Sequence, residues 1–215
     1  MPDYVRVLKK LEGRYATTML GSWSERKTPP WRTLVGTILS ARSRDEMTDK
    51  ICGVLFKRFR TARALAAAKH RDVEAILHDI GFYRTKARYI IATAKLLLDK
   101  FGGEVPRTID ELMEFPGVGR KVANCVLVYS FGQDAIPVDT HVHRLSNRLG
   151  WVKTASPEET ERKLVEIIPK PAWMLVNELM VAHGKSVCRP IGPKCGECAI
   201  RGDCARVGVG FTSRP

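Results

Sequence analysis

The sequence contains no apolar run approaching the ~18 residues of a membrane-spanning helix. Its start, MPDYVRVLKK, lacks the apolar stretch of a secretory signal. Repeats and low-complexity segments are missing too, which argues against a repeat architecture. Acidic residues are in short supply: 23 Asp and Glu stand against 36 Lys and Arg, a net charge of +13. That balance disfavours basic partners and favours a polyanion, nucleic acid first and an acidic membrane surface second. These absences lead us to expect a soluble intracellular protein of the cytoplasm or nucleoid. There are only six cysteines, and in a reducing compartment they point to a metal or to core packing rather than to disulfides.

What is present is enough for a real core. Hydrophobic residues make up 44% of 215, which fits one large globular domain or two small ones. Residues 112–128, LMEFPGVGRKVANCVLV, are the most informative stretch. Phe115-Pro116-Gly117-Val118-Gly119 reads as a tight turn whose glycines permit positive φ and a close backbone approach. The helix that follows, roughly residues 119–131, is apolar almost all round and is expected to be buried. Its polar exceptions, Arg120, Lys121 and Asn124, fall within an arc of roughly 100° at its N-terminal end. Unpaired N–H groups and the positive end of the macrodipole suit that end to a phosphate. Lys121 therefore stands at the mouth of a buried helix beside an anion site.

Helical periodicity and capping signals predict helices over residues 3–19, 31–41, 47–59, 61–68, 71–77, 86–101, 109–114, 156–168 and 172–187. Residues 21–30 read as a polar loop, Ile80 to Ala87 as a Gly-containing turn into a helix, and the residues after Arg206 as a disordered tail. Asp139 precedes THVHRLSNRL as an N-cap. Residues 132–138 extend to about 23 Å, enough to double back along a helix about 18 Å long and set Asp139 beside Lys121. His141 and His143 read as hydrogen-bonded structural histidines, with His141 a secondary candidate for the site's mouth.

Cys188, Cys195, Cys198 and Cys204 follow C-x6-C-x2-C-x5-C, so four thiolates within 17 residues can close around one metal centre. As bare chemistry the choice lies between zinc and a [4Fe–4S] cluster. Cys52 and Cys125 lie on apolar stretches and read as core.

The pattern Leu112-x-x-Phe115-Pro116-Gly117-Val118-Gly119-x-x-x-Ala123 resembles the helix-hairpin-helix of the endonuclease III superfamily of DNA base-excision glycosylases. Such hairpins also occur in non-catalytic DNA-binding modules. Lys121 falls where that family has its catalytic lysine, and Val138-Asp139-Thr140-His141 matches its aspartate motif. The cysteine spacing is that of the iron–sulfur loop of endonuclease III and adenine glycosylases. The resemblance runs from about Pro30 to Cys204 and implies an all-α, two-domain fold. Residues 22–134 would form a six-helix barrel with the hairpin. Residues 1–21 and 135–215 would form an iron–sulfur domain, with the DNA-binding cleft between the two.

The implied activity is that of a bifunctional DNA N-glycosylase, removing oxidised pyrimidines and cleaving the abasic strand by β-elimination. Lys121 and Asp139 would be its catalytic residues, and the four cysteines would hold a [4Fe–4S] cluster. Its partner would be double-stranded DNA with damaged bases or abasic sites, bound by a monomer. Arg42, in ILSARSRD, stands where the family usually has a glutamine on a loop that inserts into the DNA stack. Tyr83, Arg84 and Lys86, in IGFYRTKA, match a turn that touches DNA from the side opposite the lysine. Gly117, Val118, Gly119 and Arg120 of the hairpin would hold a phosphate, His141 would face the mouth, and Arg189 and Lys194, with Arg201, would bring charge from the cysteine loop. In the adenine- and thymine-mismatch branches the lysine position is usually not lysine, so Lys121 favours the bifunctional branch. A mismatch glycosylase, a non-catalytic DNA-binding module and a cluster-based electron carrier are the other readings.

Overall fold

Twelve α-helices and three single-turn 3-10 helices make up the regular structure of residues 3–210, the part that the computed structural model describes; the α-helices position the site. They are α1 (Tyr4–Leu11), α2 (Met19–Glu25), α3 (Pro30–Ser40), α4 (Asp45–Arg58), α5 (Ala62–Ala66), α6 (His70–Leu77), α7 (Tyr83–Phe101), α8 (Ile109–Met113), α9 (Arg120–Phe131), α10 (Thr140–Arg148), α11 (Pro157–Ile167) and α12 (Trp173–Ser186). Among the described residues there is no strand, so the fold is all-α. None of these helices is long and apolar enough to cross a membrane. The chain divides into two compact units: Met19–Gln133, and the residues up to Thr18 together with those from Asp134 on.

The Met19–Gln133 unit holds α2 to α9, eight helical segments of which α5 and α8 have five residues each. Pro30 occupies the first turn of α3, where its missing N–H costs nothing. Thr61 and Thr108 cap α5 and α8, accepting from Ala64 N at 3.1 Å and Glu111 N at 3.4 Å. Gly102 closes α7 in the left-handed conformation. Leu34, Val35, Ile38 and Leu39 of α3 are buried against α9, whose residues from Val122 to Tyr129 are all buried. The helix expected to be greasy on every side is thus the buried one.

Residues 21–30 were expected to be a polar loop, yet α2 runs through them to Glu25. Met19, Leu20 and Trp23 give it a buried face, and Trp23 Nε1 donates to Asp49 Oδ1 at 2.6 Å. The Trp23 ring lies against Gly36, too close for a Cβ there. Gly21, Ser22 and Ser24 dilute the pattern, and a seven-residue helix held by one tryptophan leaves little periodicity to read.

The other unit holds α1, α10, α11 and α12. Its core joins Val7, Leu8 and Leu11 of α1 to Val142 and Leu145 of α10, Leu164 of α11, and Val176 and Met180 of α12. Ile136 and Val138 enter the same core from the extended segment before α10. The first helix is shorter than the predicted 3–19 span because Gly13, at φ +72°, follows its end. The residues after Arg206 were expected to be disordered. Within the described part, Val207 N donates to Arg148 O at 3.1 Å. Residues 211–215 of that predicted tail lie outside the described residues.

Candidate active site and four-thiol pocket

The hairpin is formed by α8, the turn 114–119 and α9. Gly117 takes φ +79°, and a Cβ there would sit 2.5 Å from the Tyr89 ring, so both conformation and space demand glycine. Gly119 does not use the positive φ that glycine permits: it is extended, at φ −99° and ψ 179°, and precedes α9 as its N-cap with open space around it. Its lack of a side chain leaves the helix start uncovered. The N–H groups of Gly117 and Gly119 carry no partner among the described residues, whereas Val118 N donates to Phe115 O at 3.0 Å. Val118 was expected to contribute to phosphate binding. Its amide is committed and its side chain is buried, so it anchors the turn instead.

Arg120 is exposed and Lys121 half-buried on the first turn of α9. One turn further, Asn124 is fully buried with neither amide atom hydrogen-bonded. Asp139 caps α10 in the other unit. Its Oδ1 accepts from His141 N at 2.8 Å and Val142 N at 2.9 Å, and its second oxygen keeps room for another donor. The cap reading and a chemical role coexist in this geometry.

The predicted contact loops of the Met19–Gln133 unit come together. Arg42 and Phe82 both adopt left-handed backbone, at φ +55° and +59°, and the Arg42 guanidinium lies 5.7 Å from the Phe82 ring centre. Neither is glycine, so each marks local strain. The expected glycine turn at Gly81 is in fact made by Phe82, which is 64% exposed. Arg84 is exposed and stacks at 5.1 Å on half-buried Tyr83. Lys86 corrects the sequence reading. It is buried, and its Nζ donates to Leu39 O at 2.9 Å and to Ser43 Oγ at 2.8 Å. Burial pushes it down to about 8. It fastens the end of α3 to the Ser43 turn and is not presented to a DNA backbone.

All four cysteines of the spacing motif line one pocket, about 440 Å³ of space unfilled by atoms and partly open to solvent. Two donors point at sulfurs, Arg148 Nη1 at 3.4 Å from Cys188 and Arg206 N at 3.4 Å from Cys204, and His183 Nε2 lies 3.5 Å from Cys198. Burial, with added repulsion from the neighbouring thiolates, pushes the Cys198 and Cys204 thiols up. A cationic centre would reverse that trend. Among the described residues no three thiols, imidazoles or carboxylates converge on a single ion. Four thiols lining one pocket supply the donor set that a [4Fe–4S] cluster or a zinc ion would need. Cys52 and Cys125 are fully buried, as their apolar settings predicted.

Arg189, Lys194 and Arg201 of the cysteine loop are exposed. Lys194 pairs with Glu197 at 3.4 Å, and Arg189 Nε donates to Ser186 O at 3.2 Å. Sequence reasoning missed the residues that hold this loop. Arg144 Nη2 donates to Cys188 O at 2.9 Å, Gly184 O at 3.0 Å and His141 Nδ1 at 3.1 Å. Arg148 donates to Arg189 O at 2.7 Å and Pro190 O at 2.9 Å. Burial lowers both His141 and His183, the latter to about 4. His143 is structural as expected, bonded to Thr160 Oγ1 at 2.7 Å. The available signal was spacing: arginines at i and i+4 on α10, and a histidine five residues before the first cysteine.

Comparison with known proteins agrees with this geometry. Residues 35–170 match the model of the HhH-GPD superfamily base excision DNA repair protein family. The chain is 46% identical over 181 residues to endonuclease III of Thermotoga maritima, covering 84% of this chain and 85% of that one. It is 43% identical to endonuclease III of Synechocystis sp., covering 80% and 78%. Among solved structures, a trapped endonuclease III–DNA covalent intermediate superposes with a TM-score of 0.79 at 40% identity, covering 83% and 84%. The chain belongs to the endonuclease III family of helix-hairpin-helix base-excision DNA repair proteins.

Proposed function

We propose that this chain removes oxidised pyrimidines from double-stranded DNA and then nicks the abasic strand, with Lys121 as nucleophile. Its family makes it a base-excision DNA glycosylase and abasic-site lyase. One observation carries the lysine assignment: Lys121 lies on the first turn of the buried helix that leaves the hairpin, next to amides open to a phosphate. The solved endonuclease III at 40% identity forms a covalent intermediate with DNA, in keeping with a nucleophilic side chain.

The damaged base must leave the stack to be reached. The Gly117 and Gly119 amides and the start of α9 hold a phosphate and fix the strand. Lys121, as free amine, attacks C1′ while the base departs with the electrons of the glycosidic bond and takes up a proton. Asp139 starts ionised, stabilises the positive charge that builds on the sugar, accepts the proton that the attacking amine loses, and passes it to O4′ as the ring opens. The C1′–O4′ bond then opens to give a Schiff base. This acidifies C2′, and loss of its proton expels the 3′ phosphate. Hydrolysis returns the lysine. Exposed Arg42, Arg84, Arg120, Arg189 and Lys194, with half-buried Tyr83, would neutralise or stack against the strand.

Cys188, Cys195, Cys198 and Cys204 are the residues that would hold a [4Fe–4S] cluster, which supplies folding energy to a segment with little core of its own. Equal amounts of iron and acid-labile sulfide, without zinc, are expected in the purified protein. Borohydride should trap the wild type on abasic DNA and leave Lys121→Ala untrapped. Trapping that persisted in Lys121→Ala would refute the assignment.

A further inference from the structure

At the four-thiol pocket lies a pair that the reaction does not use, buried His183 and half-buried Tyr15. His183, on α12, is 1% exposed and sits between two groups. Its Nε2 lies 3.5 Å from Cys198 Sγ, and its Nδ1 lies 2.6 Å from the Tyr15 hydroxyl. The two ring centres are 5.8 Å apart. Ser186 is also within hydrogen-bonding reach of that hydroxyl.

We propose that His183 is a dedicated N–H donor to the Cys198 sulfur, that Tyr15 fixes the tautomer this requires, and that the pair raises the reduction potential of the cluster bound there. The proposal rests on the [4Fe–4S] reading of the four cysteines. A ligating thiolate only accepts, so the ring nitrogen facing it must carry the hydrogen; a lone pair there would face the lone pairs of sulfur. With the hydrogen on Nε2, the lone pair of a neutral ring is on Nδ1. The Tyr15 hydroxyl is the donor it meets, so the tyrosine selects one tautomer, as second-layer carboxylates do for zinc-bound histidines.

The N–H···S bond withdraws charge from the sulfur and favours the electron-rich reduced cluster over the oxidised one. Hydrogen bonds to sulfur and solvent exposure are among the levers that set such potentials. The donors from Arg148 and Arg206 approach two other sulfurs, Cys188 and Cys204. His183 reaches Cys198 from inside the fold, where low dielectric strengthens its effect. A bulky apolar residue would satisfy packing in that place. An imidazole locked by a tyrosine makes sense beside an anionic sulfur.

The test uses the holoprotein without DNA: wild type, Tyr15→Phe, His183→Leu and His183→Gln. Iron and sulfide are quantified first, and the midpoint potential is then read by protein-film voltammetry. At equal cluster content, His183→Leu should shift the potential to more negative values and Tyr15→Phe should shift it the same way by less. His183→Gln, whose amide still donates, should recover part of the loss. Loaded Tyr15→Phe and His183→Leu proteins with the wild-type potential would overturn the proposal and leave the cluster reading standing. A wild type without iron and sulfide would overturn the cluster reading and the proposal with it. If His183→Leu fails to load, Tyr15→Phe, which removes one oxygen atom, decides. Pulsed EPR on wild type labelled with 15N-histidine gives an independent readout. Hyperfine coupling to one ring nitrogen supports the bond, and its absence overturns it.

Discussion

Burial pushes the Lys86 ammonium down to about 8 while its Nζ donates to Leu39 O and Ser43 Oγ. A base whose folded value lies below its unfolded one, ordinarily about 10.4, binds fewer protons when folded. Stability is therefore penalised below the folded value, and the penalty lifts as pH rises through it. Urea unfolding between about pH 8 and pH 10 should show wild type gaining on Lys86→Met as pH increases. Parallel curves would contradict this. The sequence placed Lys86 among exposed cations because its acceptors lie 47 and 43 residues away, beyond any local pattern. Asp139 was more legible, since an N-cap is a local device: its acceptor role toward His141 N and Val142 N follows from its place before α10. The two roles separate by substitution. Asp139→Ala should cost about 1 kcal/mol through the lost cap, whereas Asp139→Asn keeps a capping oxygen and should leave thermal stability nearly unchanged. Both should lose base removal, and Asp139→Asn should keep its affinity for DNA. Lost affinity in a stable Asp139→Asn protein would make the residue purely structural.

Elements with a dense signal were read correctly. Helix α9 has an apolar residue at almost every position and lies fully packed from Val122 to Tyr129. The turn before it was legible from its glycines, although only Gly117 needs positive φ. Gly117→Ala should destabilise by about 1 kcal/mol or more, through both conformation and the Tyr89 ring, and should weaken DNA binding. Helix α2 was missed because its reason to exist is the burial of Trp23 against α3, a tertiary fact. In α10, THVHRLSNRL was legible as a helix, but not that Arg144 and Arg148 reach backbone oxygens of the cysteine loop about 40 residues on. That link predicts a phenotype: Arg148→Met should release iron to a chelator roughly tenfold faster than wild type. An unchanged rate would mean that the loop holds itself.

At the scale of the whole chain, the excess of 36 basic over 23 acidic residues sets the partner class before any fold is known. Its physical consequence is counterion release. The logarithm of DNA affinity should fall linearly with that of salt, by about 0.9 for each phosphate neutralised, and Arg84→Ala should reduce the slope by about 1. A slope near zero would deny a phosphate-led interface. All-helical architecture was readable from periodicity, and the spacing of the four cysteines foretold that they would share one pocket. Loop shape was not: Arg42 and Phe82 meet in strained turns 40 residues apart, and nothing local in either segment announces it.

The proposed glycosylase and lyase chemistry requires one amine, on the first turn of α9, to bond to deoxyribose. Borohydride reduction of the wild-type complex with abasic duplex, followed by nuclease and protease digestion and peptide mass spectrometry, tests it at the atom concerned. The sugar remnant is expected on the peptide containing Lys121, at that side chain. A remnant on any other lysine, or on the N-terminal amine, would contradict it.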